Sequence, residues 1–461
     1  MNGARRDITL ELGGALAPPL ARQHGVTRAE VRRLLPKIAD VVPTLASAEA
    51  PSGFLRVLSR SAMPKAILRQ ARAWRRRSPE DLIHIGIGGS SLGAEAILRA
   101  LAHPQHNQLS TRRRGGPRVH FVDNVDPDTL GALLEWVRLE KTLVHVVSKS
   151  GGTVETAAGF QIVREALERA VGTRWARHCV ATTGSGALRK LARAEGIATL
   201  DFPEDVGGRF SGLTPSGLFT PAVAGVDVAG LLAGGRRMVR RMTAAVPDEN
   251  PALLAAAVTF RMAEAKDKPI HVLMPYADAL EPTARWYVQL SGESLGKRKG
   301  RGARARGVGP TPLAARGTTD QHSQVQLFVE GPADKLVMFV STGSSDRELT
   351  IPGGEPAPYL EGVALGELLR AEGRGTAVAL ARAGRPSLCW QLPAVDAHSL
   401  GQLFVALETQ TAAQAALYGV DAYDQPGVEA GKIAAFALLG REGYEDERIA
   451  IERDAPPSWR V

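Results

Sequence analysis

The stretch IHIGIGGSSLGAEAIL, residues 83–98, passes from an apolar run through glycines and two serines into a helical pattern. At such a junction the helix N-terminus presents unpaired amides and a partial positive charge. Gly86, Gly88 and Gly89 let the backbone come close to an oxyanion, and Ser90 and Ser91 add hydroxyl donors. The junction suits an anion, phosphate foremost, although a tight strand–helix turn would call for the same glycines. Its spacing is neither GxGxxG nor GxxxxGK[ST]. A second junction, VHVVSKSGGTVETAAGF, offers Ser148, Lys149, Ser150 and Thr153 before another helix. Two such loops on neighbouring parallel strands would meet at the carboxyl edge of the sheet, where open α/β folds take ligands. The predicted ligand is a monophosphate, because no acidic ribose-binding residue follows at the dinucleotide distance. Its contacts would be Gly89, Ser90, Ser148, Lys149, Ser150 and Thr153.

Other residues could do proton or charge chemistry. Glu293 and Gln289 stand one turn apart in a helical context, and a polar pair next to WYVQL is odd unless it serves a site. A glutamate solvating a surface helix is the plainer reading. Arg209 follows two glycines in GGRFS, where it either bridges loop to helix or lends a guanidinium to a developing oxyanion. His322 in DQHSQ can exchange protons near neutral pH. His84 and His145 fall inside apolar strands and read as satisfied core histidines.

These side chains need a frame. Apolar runs at 82–87, 118–122, 142–148, 178–183 and 197–202 read as strands, with helices at 94–101, 154–170 and 185–196 between them. Val/Ile-rich strands with helical crossovers imply a parallel sheet covered on both faces. A second series follows, with strands expected at 269–276, 322–331, 335–342 and 386–392 and helices at 279–297, 365–384 and 399–419. The expected division is a helical lead-in (1–45), two α/β halves (46–240 and 241–440) and a polar tail (441–461). GGRR and VPDENP are expected to interrupt the helical patterning around 230–250 and so mark the break between the halves.

Composition narrows the partners. The 461 residues are 44% hydrophobic, ordinary for a globular chain, and their two cysteines, Cys179 and Cys389, point to a reducing cytoplasm. No signal peptide and no membrane span is expected. The net charge of +9 favours anionic partners. With aromatics at 5% and no zinc-finger or basic-zipper pattern, it reads as a solvated basic surface and not a nucleic-acid interface. The same holds for the Arg/Lys-rich segment 296–310, with attraction of a phosphorylated substrate as the alternative. No HExxH or dense His/Asp cluster suggests a metal.

IGIGGSSLG and SKSGGTVET resemble the phosphate loops of the glucose-6-phosphate isomerase family. VGGRFSGLTPSGLF (206–219), QLSGESLGK (289–297), TTDQHSQVQ (318–326) and YDQPGVEAGK (423–432) resemble its remaining signatures, in family order. The resemblance runs from about residue 80 to 440 and is nearest to the compact bacterial members. It implies an α/β fold with two SIS-type parallel-sheet αβα sandwich domains. It also implies interconversion of glucose 6-phosphate and fructose 6-phosphate through an enediolate, without cofactor or metal. By the same resemblance Glu293 shuttles the proton, Gln289 and Gln425 bind substrate, and Arg209 stabilises the enediolate. His322 and Lys432 would assist ring opening, with His322 reaching in from the other subunit of a homodimer. The pattern SKSGTTxET departs here, since Gly152 replaces the first threonine. Broader specificity, taking in mannose 6-phosphate, and a non-catalytic sugar-phosphate binder are the alternatives. A glucosamine-phosphate synthase is disfavoured, because no N-terminal nucleophilic cysteine is present.

Overall fold

A computed structural model describes residues 7–300 and 305–454. A short strand, β1 (Thr9–Glu11), and helices Arg28–Leu34, Val41–Ala46 and Ala62–Arg75 come first. The first sheet follows: β2 (Asp81–Ile85), β3 (Arg118–Val122), β4 (Thr142–Ser148), β5 (Cys179–Thr183) and β6 (Ala198–Asp201). Its order is β3-β2-β4-β5-β6, parallel throughout. β2, β4 and β5 are buried along their whole length, so apolar residues stand on both faces of each strand without alternation, and polar ones such as His84 and His145 are buried with them.

The second half supplies β7 (Ile270–Pro275), the antiparallel pair β8 (Lys297–Lys299) and β9 (Arg306–Val308), then β10 (Thr311–Ala314), β11 (Lys335–Ser344) and β12 (Ser387–Ala394). The second sheet runs β1-β12-β11-β7-β10, with β1 antiparallel on its edge. Part of the lead-in therefore belongs to the far sheet. One hydrophobic cluster reaches from Leu82 and Val180 of the first sheet through Leu218 and Phe219 to Leu336 and Trp390 of the second. Helix Pro215–Ala224 lies inside it with every residue buried.

Helices Glu281–Leu295 and Ala397–Tyr418 are locked by a stacked pair, Trp286 on Phe404, with ring centroids 4.1 Å apart. Such a pair adds about 0.5–1.5 kcal/mol beyond its buried area, and here it fixes the helix that carries Glu293.

Two expectations fail. Residues 322–331 form two short helices, Thr319–Ser323 and Val325–Glu330, and not a strand. The alternation of Val325, Leu327 and Val329 suggests period two, but Phe328 is the residue this segment buries, and the place beside β7 is taken by β10. GGRR does not interrupt a helix either, since Gly234 and Gly235 lie within Val228–Ala244. A Cβ on Gly234 would sit 2.0 Å from the His398 carbonyl oxygen, and one on Gly401 would sit 1.9 Å from that of Leu231. The glycines let two helices cross backbone to backbone. The basic segment 296–310 is partly the β8–β9 pair; its residues 301–304, like 1–6 of the lead-in and 455–461 of the tail, lie outside the described residues. Among the described residues no helix is long and apolar enough to cross a membrane.

Candidate active site

The first loop follows β2. Gly88 takes a φ of +57°, which favours glycine, and opens a tight turn over Gly88–Ser90 before helix Leu92–Leu101. A Cβ on Gly88 would stand 2.7 Å from Gln289 Nε2, and one on Gly89 would stand 2.2 Å from the Gly208 carbonyl carbon. The loop thus touches both the helix bearing Glu293 and the loop bearing Arg209. Ser211 Oγ, 2.7 Å from the Gly208 carbonyl oxygen and 3.0 Å from that of Gly89, ties the two loops together.

The second loop follows β4. Ser148 Oγ lies 3.1 Å from Thr153 Oγ1 and accepts from the Gly151 amide at 3.1 Å. Ser150 Oγ accepts from the Gly152 amide at 3.3 Å. Lys149 turns elsewhere: its ammonium donates to the carbonyls of Glu204 at 2.9 Å and Val206 at 2.8 Å, bracing the chain just before Arg209.

Arg209 is the hub. Its side chain is 2% exposed. Nε donates to Ser294 Oγ at 2.8 Å, and Nη1 donates to Glu293 Oε2 at 2.9 Å and Gln425 Oε1 at 2.7 Å. Nη2 donates to the carbonyls of Asp424, at 2.8 Å, and Ala422. Burial pushes its pKa down, while Glu293, Asp424 and Asp421 push it back up, and a guanidinium so placed stays charged.

Helix Glu281–Leu295 starts with Pro282 in its first turn and buries Trp286, Tyr287, Leu290, Ser291, Ser294 and Leu295. Gln289 and Glu293 fall on its half-buried flank. Gln289 Nε2 donates to Glu293 Oε1 at 2.9 Å. The carboxylate is held between an amide and a guanidinium and is 31% exposed. That arrangement can take a proton from an adjacent carbon and return it, beside a cation able to stabilise an oxyanion.

Gln425 thus shares the Arg209 guanidinium with Glu293. His322 is exposed on helix Thr319–Ser323. Its neighbour Gln321 is anchored, accepting through Oε1 from Tyr276 at 2.9 Å and from Thr376 at 2.7 Å. Lys432 is half exposed and bonds Glu429 at 2.9 Å, so the fold of this chain brings neither it nor His322 into the Arg209 hydrogen-bond network. His84 and His145 are buried and fully partnered, as expected. A recess of about 400 Å³ at β11, β12 and β1 is lined by none of the predicted site residues.

The family description "Phosphoglucose isomerase" matches residues 70–346 and 377–453. The chain is 45% identical to the glucose-6-phosphate isomerase of Rubrobacter xylanophilus over 92% of its own length and 96% of that protein's. This chain belongs to the phosphoglucose isomerase family. It is also 41% identical to a glucose-6-phosphate isomerase of Thermus thermophilus, over 79% of this chain and 86% of that protein. A crystal structure of a hypothetical protein from Thermus thermophilus superposes with a TM-score of 0.82 at 35% identity, covering 94% of this chain and 99% of that one. The Chlamydia trachomatis glucose-6-phosphate isomerase structure gives 0.72 at 25%, covering 85% and 76%.

For this phosphoglucose isomerase family member, two site residues escaped sequence reasoning. Ser294 accepts from Arg209, and Lys297 donates to the carbonyls of Glu293 at 2.7 Å and Asp424 at 2.8 Å. Lys297 also pairs with the Asp424 carboxylate at 2.9 Å, so it clamps the end of the Glu293 helix to the Gln425 loop. Its spacing four residues after Glu293 was the available signal. Among the described residues no group of three His, Cys, Asp or Glu could hold a metal ion.

Proposed function

We propose that this chain interconverts glucose 6-phosphate and fructose 6-phosphate. The observation that carries it is one carboxylate, Glu293, 2.9 Å from both the Arg209 guanidinium and the Gln289 amide, with Gly88 of the first loop against that same amide. Gly89, Ser90, Ser148, Ser150 and Thr153 hold the phosphate, and Lys149 braces the chain beside them. Gln289 and Gln425 contact the sugar. His322 and Lys432 move protons at the ring oxygen and the anomeric hydroxyl. Glu293 then carries a proton between C2 and C1, and Arg209 stabilises the enediolate oxygen.

Purified protein in EDTA is expected to convert glucose 6-phosphate to fructose 6-phosphate with undiminished rate. The same assay run with mannose 6-phosphate reads the breadth of specificity. Absence of turnover, with sugar-phosphate binding retained, would replace the isomerase reading with that of a binding protein.

The active unit is a homodimer in which His322 serves the partner's site. Support comes from the exposure of His322 on a braced helix, outside the hydrogen-bond network of Glu293. Mixing inactive His322→Gln and Glu293→Gln subunits is expected to restore activity, because each mixed dimer holds one intact site. No recovery after verified subunit exchange would place His322 in its own protomer's site.

A Cβ on Gly152 would meet nothing within 4 Å, and its φ lies outside the left-handed region. A hydrogen bond to a charged group is worth about 1.5–3 kcal/mol, so Gly152→Thr is expected to lower KM about tenfold with kcat unchanged. The division into 1–45, 46–240, 241–440 and 441–461 belongs to the same reading, supported by the two sheets. So does a cytoplasmic location, supported by the unpaired Cys179 and Cys389.

A further inference from the structure

His84 and His145 take no part in the chemistry above, yet all four of their ring nitrogens have partners. The β2–β4 register sets them side by side, ring edge to ring face with centroids 4.9 Å apart. Thr220 Oγ1, from the buried helix Pro215–Ala224, lies 2.9 Å from Nδ1 of each. His84 Nε2 is 2.7 Å from the Ser90 carbonyl oxygen, and His145 Nε2 is 2.7 Å from Thr182 Oγ1.

The protons shared by these groups have a single consistent arrangement. A carbonyl only accepts, so His84 Nε2 carries hydrogen. Burial holds His84 at a pKa of about 4, so its ring is neutral and Nδ1 is bare. The Thr220 hydroxyl must donate to that nitrogen, and its oxygen then accepts from His145 Nδ1–H. His145 is neutral as well, lowered by burial and by His84, so its Nε2 is bare and accepts from Thr182. Any other assignment of neutral rings sets two donors or two lone pairs against each other.

We propose that His84, Thr220 and His145 are positioning residues for phosphate binding: a one-directional hydrogen-bond chain that holds the Ser90 peptide of the first loop and ties it to the strand ending at Ser148 in the second. This rests on the reading of both loops as the phosphate site. The Ser90 carbonyl is tightly seated, since a Cβ on Gly86 would come within 2.8 Å of the same oxygen. Turning the bare nitrogen of His84 toward that oxygen would oppose two lone pairs. The peptide would rotate, and the hydroxyl and amides that face the anion would rotate with it.

Two measurements test this on the full-length protein. NMR of 15N-histidine-labelled enzyme, with signals assigned by their loss in His84→Gln and His145→Gln, is expected to show His84 protonated on Nε2 and His145 on Nδ1. The same tautomer on both rings, or a charged ring near neutral pH, would overturn the chain. Thr220→Val is expected to raise both KM for fructose 6-phosphate and the inhibition constant of inorganic phosphate about tenfold, with kcat within about twofold, and Thr220→Ser is expected to restore both. Unchanged KM and phosphate inhibition in a folded Thr220→Val would overturn the positioning role. If that variant does not fold, the tautomers of the wild-type enzyme decide. Wild-type enzyme that turns over but is not competitively inhibited by phosphate would remove the loop reading itself, and the positioning role with it, whatever the tautomers.

Discussion

Glu293→Gln is expected to lower kcat by about 10²–10⁴-fold, the range for losing a positioned general base, while KM stays near its wild-type value. The substitution keeps the shape of the side chain. The new amide oxygen still accepts from Arg209 Nη1, which now stands 2.9 Å from Glu293 Oε2. Its NH2 group then faces Gln289, whose buried Oε1 has no partner among the described residues. Rotating the Gln289 amide turns that oxygen toward the new donor, so the site accepts the change without unfolding. What disappears is the atom able to hold a proton between two carbons. Exchange of the substrate's carbon-bound hydrogen with solvent deuterium should fall with kcat. A variant within about tenfold of wild type would mean that another group is the base, since a loss that small is below the range for the missing acid–base step.

Arg209→Lys is expected to be nearly as damaging, by about 10²–10³-fold in kcat, the scale for removing one preorganised donor at an oxyanion. Five acceptors surround the guanidinium: Ser294, Glu293, Gln425 and the carbonyls of Ala422 and Asp424. A lysine has three donors on one nitrogen and cannot span that fan. Both the charge at the enediolate and the seat of the Gln425 loop should suffer. Breaking a buried pair costs about 3–5 kcal/mol, and the 31% exposure of Glu293 places this one at the lower end. Denaturant midpoints of Arg209→Lys and Arg209→Ala would read the structural share, and kcat/KM the catalytic share. A lysine variant with wild-type kcat would show that position 209 is only a strut.

Much of this is visible in the order of residues. The central strands of the first sheet are readable because a parallel strand buried on both faces carries apolar residues at successive positions, and β2, β4 and β5 do, with buried polar residues such as His84 and His145 among them. The helix of Glu293 is readable from its spacing, as is the odd polar flank made by Gln289. Where local pattern and packing diverge, the reading goes astray. Val325, Leu327 and Val329 alternate as a strand would, yet β10 already occupies the sheet position beside β7. Gly234 and Gly235 look like helix breakers and are the contact surface of a helix crossing. Both outcomes depend on a neighbour distant in sequence.

Local order along the chain settles which residue types stand at each strand-to-helix junction and where the apolar strands run. It also settles that a carboxylate, a guanidinium and two hydroxyl-rich loops are at hand. Hydrogen-bonding capacity and side-chain period are local properties. Long-range packing settles the rest: that Arg209 gathers Glu293, Ser294 and Gln425, that Lys149 braces a neighbouring loop, and that two core histidines share one threonine beneath the first loop. A hydrogen bond needs its partners within about 3.5 Å and aligned. Across 216 residues of chain between Arg209 and Gln425, no local rule can set that distance.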